Sequence, residues 1–319
     1  MTLWTTVMER RKSLPLQASE SAFKGISEPL IAASELHKSF PPRKAVLKGV
    51  DLTLYAGEVV GLLGLNGAGK TTLIKLLTGL LEPDAGSVTL LGRARDRQGV
   101  RRHVALMKEG QPTLFEFMTP RQNLRYYGGL LGVRDLAAGV ARVLAEVELT
   151  EVADTPLLYL SNGTKRRVGL ALAYLKGARV LLLDEPSAGL DIRSTALMKG
   201  ALKAFAAAGN AVLLTGHEMG FLESVCDRVV VLHGGRVAAE GTLRALLQRF
   251  APEQWVEVWL EGRPGAGELL EEQGGLFRVR LPLAELGALG ALRVRQLRLE
   301  TPALEALLRE VGDVARRVA

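Results

Sequence analysis

One eight-residue stretch, Gly64-Leu65-Asn66-Gly67-Ala68-Gly69-Lys70-Thr71, limits what this chain can fold into more than any other part of it. It fits the pattern G-x-x-x-x-G-K-[ST] and follows an apolar run, Val59-Val60-Gly61-Leu62-Leu63, that reads as a buried strand. Leu73 to Leu81 reads as the helix that follows. In that order, a strand, a glycine-rich loop and a helix can close backbone N–H groups around phosphate, where the helix N-terminus adds partial positive charge. Lys70 is then placed to reach the β- and γ-phosphates of a nucleotide, and the Thr71 hydroxyl to ligate Mg²⁺. Asn66, Gly67, Ala68, Gly69 and Thr72 complete the expected phosphate contacts. A turn that merely joined strand to helix would need neither the lysine nor the hydroxyl.

A second apolar run, Val180-Leu181-Leu182-Leu183, ends in Asp184-Glu185. Carboxylates at the end of a buried strand are costly unless they meet cations or water. Asp184 is placed to hold Mg²⁺ directly or through water, and Glu185 to act as the general base for water attacking a γ-phosphate. Val212 to Leu214 is a further run without alternation, the pattern of strands buried on both faces of a largely parallel sheet. A helix-rich segment from Pro120 to Lys176 lies between the strands, so the expectation is an α/β sheet carrying a helical insertion.

The 319 residues predict two domains. Residues 1–29 read as an extension, 30–245 as the α/β domain with its helical part at about 112–177, and 246–319 as a small α+β domain. In that last part Trp255 to Leu260, Leu276 to Leu281 and Leu292 to Leu299 read as strands, and Thr301-Pro302 as a helix start. With 48% apolar and 24% charged residues the composition is globular, and the longest apolar runs fall far short of the roughly 20 residues of a membrane-spanning helix. The single cysteine, Cys226, excludes an internal disulfide, and the N-terminal residues lack the continuous apolar core of a secretion signal. A cytoplasmic protein is therefore expected. The net charge of +7 raises nucleic acid or an anionic membrane as partners, but no block of five or six like charges occurs, so a nucleic-acid partner is not expected.

Just upstream of the acidic strand, Leu160-Ser161-Asn162-Gly163-Thr164 resembles the LSGGQ signature of ABC-type ATPases. Ser187-Ala188-Gly189-Leu190-Asp191 is similar to that family's D-loop, Leu214-Thr215-Gly216-His217-Glu218-Met219 to its switch-histidine segment, and Lys38-Ser39-Phe40 to its A-loop. The resemblance spans residues 34–245 and implies a P-loop NTPase (RecA-like) ABC ATPase core with a helical subdomain. It also implies that ATP is the nucleotide, that Phe40 stacks on adenine, and that His217 joins Lys70 and Glu185 in hydrolysis. Two such domains would pair as a homodimer or heterodimer, with Ser161 and Gly163 of one and the Gly-rich loop of the other enclosing each ATP, and Asp191 at the same interface. The chain departs from the family pattern at Thr164 and at the Q-loop, where Glu109 takes the glutamine's place as a nucleotide and Mg²⁺ contact, with Gln111 the competing assignment.

The function the resemblance implies is the ATPase subunit of a transporter, peripheral at the inner face of the cell membrane through an integral membrane permease. The segment after Thr242 resembles tails of subunits that export drugs, antibiotics, polysaccharides or lipids. The alternative is a soluble ABC ATPase acting on the ribosome or nucleic acid. Such relatives usually carry two cassettes in one chain or long heptad coiled coils, and neither pattern occurs here.

Overall fold

Runs of apolar residues without alternation must be covered on both faces, and the structure covers them with a helix and a second sheet on one side and further helices on the other. The computed structural model describes residues 29–42, 44–108, 114–250, 255–289 and 292–300, with Leu307, Leu308, Val311, Gly312 and Val314 beyond them. The N-terminal extension (residues 1–28), the Q-loop candidates Glu109 and Gln111, and the helix start expected at Thr301 lie outside the described residues. The chain divides into two compact units, Met1–Thr242 and Leu243–Ala319.

The first unit begins with β1 (Pro29–Phe40), β2 (Lys44–Tyr55), β3 (Val59–Leu63), α1 (Lys70–Leu77), β4 (Ala85–Leu90), β5 (Arg93–Ala94), α2 (Arg97–His103) and β6 (Val104–Met107). Three helices follow, α3 (Pro120–Leu130), α4 (Leu136–Glu146) and α5 (Asn162–Lys176). The unit ends with β7 (Val180–Leu183), α6 (Ile192–Ala207), β8 (Ala211–Thr215), α7 (Met219–Val225), β9 (Arg228–His233) and β10 (Arg236–Gly241).

Six strands form one sheet in the order β10-β9-β3-β8-β7-β6, parallel throughout except for the β10 edge. A second, antiparallel sheet, β2-β1-β4-β5, is not anticipated from the sequence. Its strands are half-buried and interrupted by register shifts, which blur their alternation. Between the two sheets lies α1, whose Leu73, Ile74, Leu76 and Leu77 join a core with Leu36, Leu47 and Leu54 from the antiparallel side and Leu62, Leu182 and Leu213 from the parallel side. Each such leucine contributes about 1.5–3 kcal/mol by leaving water. The sequence reads α1 as running to Leu81, but it stops at Leu77: Gly79 turns the backbone left-handed at φ 67°, and the Thr78 hydroxyl donates back to the Ile74 carbonyl.

The helical insertion is α3, α4 and α5. Thr119 and Gln122 form a capping box at the start of α3, with Pro120 in the first turn. Asn123 is fully buried and fastens the preceding segment, accepting from the Phe115 N–H at 2.8 Å and donating to its carbonyl at 3.0 Å.

The second unit carries α8 (Leu243–Phe250), β11 (Trp255–Glu261), β12 (Glu268–Gln273), β13 (Leu276–Pro282) and β14 (Arg293–Glu300). The strands make one antiparallel sheet in the order β12-β13-β11-β14. Phe277, Val279 and Leu281 share a core with Val256, Val258 and Leu260, the face that their alternation predicts. On the opposite face Glu257 pairs with Arg278 at 2.7 Å, and the Arg278 guanidinium lies over the Trp259 ring. Strand β12 is exposed along its length, and its adjacent Leu269 and Leu270 among glutamates give no alternation.

Candidate functional site

The parallel register brings the C-terminal ends of β3, β8 and β7 side by side, so that the loops leaving them converge. Ligands of open parallel sheets sit at this edge. After β3, the loop from Gly64 to Gly69 turns tightly: Ala68 N–H donates to the Leu65 carbonyl at 3.0 Å. Gly69 has φ 110°, and a Cβ there would stand 2.6 Å from Leu47 Cδ2, so no side chain fits. Asn66 and Gly67 are exposed at the rim, Ala68 and Gly69 are buried beneath, and Thr71 and Thr72 open α1. The Lys70 ammonium folds back over the loop, donating to the Gly64 carbonyl at 2.6 Å. Burial pushes its pKa down, while the nearby Glu185 and Asp184 carboxylates pull the other way.

After β7 come the two acids. Asp184 Oδ1 accepts from the Thr215 hydroxyl at 2.6 Å, and the same hydroxyl oxygen accepts from the Glu185 N–H at 3.1 Å. One side chain at the end of β8 thus fixes both. Glu185 has φ 51°, a left-handed conformation that costs a non-glycine residue about 1 kcal/mol or more. Its Oε2 lies 2.9 Å from His217 Nδ1, in charge-pair range but without hydrogen-bond alignment, and among the described residues that buried oxygen makes no hydrogen bond. His217 itself is largely exposed.

Thr71 and Asp184 line one cleft of about 170 Å³ together with Ile74, Lys75, Leu106 and Lys108. A hydroxyl and a carboxylate are hard oxygen donors, the set that suits Mg²⁺ when substrate phosphates and water supply the other ligands. Among the described residues no group of three or more His, Cys, Asp or Glu could hold a metal ion.

The remaining sequence-derived candidates are held by contacts of their own. Ser161 caps α5, its Oγ accepting from the Thr164 N–H at 3.2 Å and standing 3.0 Å from the Thr164 hydroxyl. Thr164, the departure from the signature, therefore completes the cap. Gly163 packs against Ser194, and a Cβ on Gly163 would collide with that side chain. Asp191 caps α6, accepting from the Ser194 N–H at 2.8 Å and hydroxyl at 2.9 Å, and these bonds hold its carboxyl below the usual range. Ser194 thereby links the signature loop to the D-loop. Phe40 ends β1, half-buried, with the Lys38 ammonium 5.9 Å from its ring. Cys226 takes no part: burial pushes its thiol up to about 12.

Two residues at the cluster carry no sequence signal of their own. Thr215 ends an apolar run, where a threonine passes as an ordinary strand residue, and only the pairing of β8 with β7 puts its hydroxyl between the acids. Lys108 follows β6 and passes for loop polarity until the register of β6 with β7 is known.

A family profile described as ABC transporter matches residues 47–188. A Nod factor export ATP-binding protein I of Burkholderia lata is 40% identical over 64% of this chain and 68% of its own length. A daunorubicin resistance ATP-binding protein of Streptomyces coeruleorubidus is 34% identical over 83% of this chain and 77% of its own. A solved structure of the ATP-binding subunit of an ABC transporter superposes with a TM-score of 0.61 at 32% identity, over 70% of this chain and 93% of that one.

Proposed function

The chain belongs to the ABC transporter family of ATP-binding proteins, and we propose that it is the motor of an exporter, acting as one half of an ATP-enclosing dimer. It binds and hydrolyses ATP and drives a membrane permease. Among the described residues no helix is long and apolar enough to cross a membrane, and the proposal seats the chain at the inner face of the cell membrane, against the permease. Two relatives whose names state Nod factor export and daunorubicin resistance support the export direction, and a drug, antibiotic, polysaccharide or lipid is the proposed cargo class.

One observation carries the mechanistic reading: the Glu185 carboxylate is held in a left-handed backbone with one buried oxygen 2.9 Å from His217 Nδ1 and, among the described residues, in no hydrogen bond. A carboxylate so placed can accept a proton from water, and His217 orients it. Lys70 turns from the Gly64 carbonyl to the β- and γ-phosphates once they enter the loop. Thr71 and Asp184 would hold Mg²⁺, with Glu109 a third contact; the ion would neutralise charge on the phosphate oxygens. Phe40 is the proposed adenine contact. Ser161 and Gly163 meet the partner's ATP, with Asp191 fixing the loop that carries them through Ser194.

The test is Glu185→Gln in the purified chain. Turnover should fall by about 10²–10⁴, the range for a lost general base. ATP with Mg²⁺ should then shift the variant from monomer to dimer by light scattering. Brisk hydrolysis would remove Glu185 from its role, and a monomer in saturating ATP would overturn the dimer.

A further inference from the structure

The cleft lined by Thr71 and Asp184 is also lined by two lysines, Lys75 and Lys108, and the sheet explains how the second arrives there. Strand β6 runs parallel to β7 with Met107 opposite Leu183, and the Asp184 N–H donates to the Met107 carbonyl at 2.8 Å. Lys108 is therefore level with Asp184 on the neighbouring strand. Side chains alternate across a strand. Met107 faces α5, where a Cβ on Gly169 would stand 2.9 Å from its Cε. Leu106, one residue back, packs into the core on the α1 side. Lys108 leaves the sheet on that same side, as do Leu182 and Asp184, and lines the cleft with Thr71 and Lys75.

Charge then decides what this cleft accepts. Among the described residues Lys108 and Lys75 make no side-chain hydrogen bond or ion pair, while Asp184 already accepts from Thr215. The described lining of this cleft carries two lysines and one carboxylate, an excess of positive charge. Phosphate oxygens remove that excess. Resting on the nucleotide site proposed above, we propose that Lys108 is a nucleotide-contacting residue: its ammonium meets phosphate oxygens beside the Thr71–Asp184 position, so that nucleotide binding by this chain leans less on the divalent cation. A lysine at a strand end is a point charge on a flexible stem and can follow the phosphate as it enters.

The experiment measures ATP affinity of the full chain by titration calorimetry, once with Mg²⁺ and once in excess EDTA, for the native chain, Lys108→Gln, Lys108→Arg and Lys70→Ala. Removing one charge-assisted contact should weaken binding in EDTA about tenfold for Lys108→Gln, with a smaller loss in Mg²⁺. Lys108→Arg keeps the charge and should stay near the native value. Unchanged binding of Lys108→Gln in EDTA, or an equal loss in Lys108→Arg, overturns the assignment. Lys70→Ala should lose binding under both conditions. If it binds ATP as the native chain does, the nucleotide-site reading itself fails, a result distinguishable from failure of Lys108 alone.

Discussion

Charged side chains gather at both edges of the parallel sheet, and the two gatherings are built on opposite lines. At the N-terminal edge, Arg228 on β9 is 3% exposed and fully engaged. It pairs with Glu58 at 2.9 Å and Glu240 at 2.5 Å and also donates to the Thr53 carbonyl of the antiparallel sheet. Glu58 in turn accepts from the Tyr55 N–H at 2.7 Å. At the C-terminal edge the groups are less fully engaged: among the described residues Glu185 Oε2, on a left-handed backbone, makes no hydrogen bond, and Lys70 donates to carbonyls of its own loop. Buried charge that is satisfied fixes the fold, here by fastening one sheet to the other. Charge not engaged in this way is open to the ligand and reaction proposed above.

The difference breaks first at Arg228. Arg228→Met leaves Glu58 and Glu240 without their cation, and losing one partner of a buried pair costs about 3–5 kcal/mol. Chemical denaturation should show that loss, while ATP affinity of the folded molecule stays native. Arg228→Met with Glu58→Gln should recover part of the stability. A variant that folds normally but loses nucleotide would reverse the roles of the two edges.

At the other edge the expected pattern is the mirror image. His217→Ala should lower steady-state hydrolysis by about 10²–10³, the range for removing a positioned polar group, while ATP binding and melting temperature hold. Unchanged turnover would sink the switch role. Thr215→Val sharpens the comparison, because this buried hydroxyl belongs to both fold and site. It should cost about 1–3 kcal/mol of stability, the range for a buried group left unpaired. It should also raise the Mg²⁺ concentration needed for half-maximal hydrolysis. A stability loss without that shift would make Thr215 purely structural.

What the sequence reveals follows from how local each feature is. Lys70, Thr71, Asp184 and Glu185 are legible as candidates because loop and strand end are contiguous in the chain, so residue type and spacing single them out. The β11 and β13 core face is legible because alternation is a local pattern with period two. Thr215, Lys108 and Arg228 are not, since each acts through a neighbour supplied by strand pairing: Asp184 and Glu185 for Thr215, the cleft for Lys108, Glu58 for Arg228. Strands β2 and β12 hide for a different reason, the one irregular in register and the other exposed throughout.

The smallest expected effect calibrates the others. On the helical insertion Arg121 donates to Asp154 through two nitrogens, Nε at 2.8 Å and Nη2 at 2.9 Å, in geometry as good as that of any buried pair. The hydrogen bond from Arg121 holds the Asp154 carboxyl below its usual range. A depressed carboxyl contributes stability above its unfolded pKa and loses it as pH falls through the lower folded value. Asp154→Asn should therefore change the melting temperature barely measurably at pH 7, and the variant should converge with the native chain in acid. Solvent screens this pair, so geometry alone does not give it weight. A loss comparable to that of Arg228→Met would show that ideal geometry outweighs burial. The contrast between the sheet's two edges would then have to be explained by hydrogen-bond alignment rather than by desolvation.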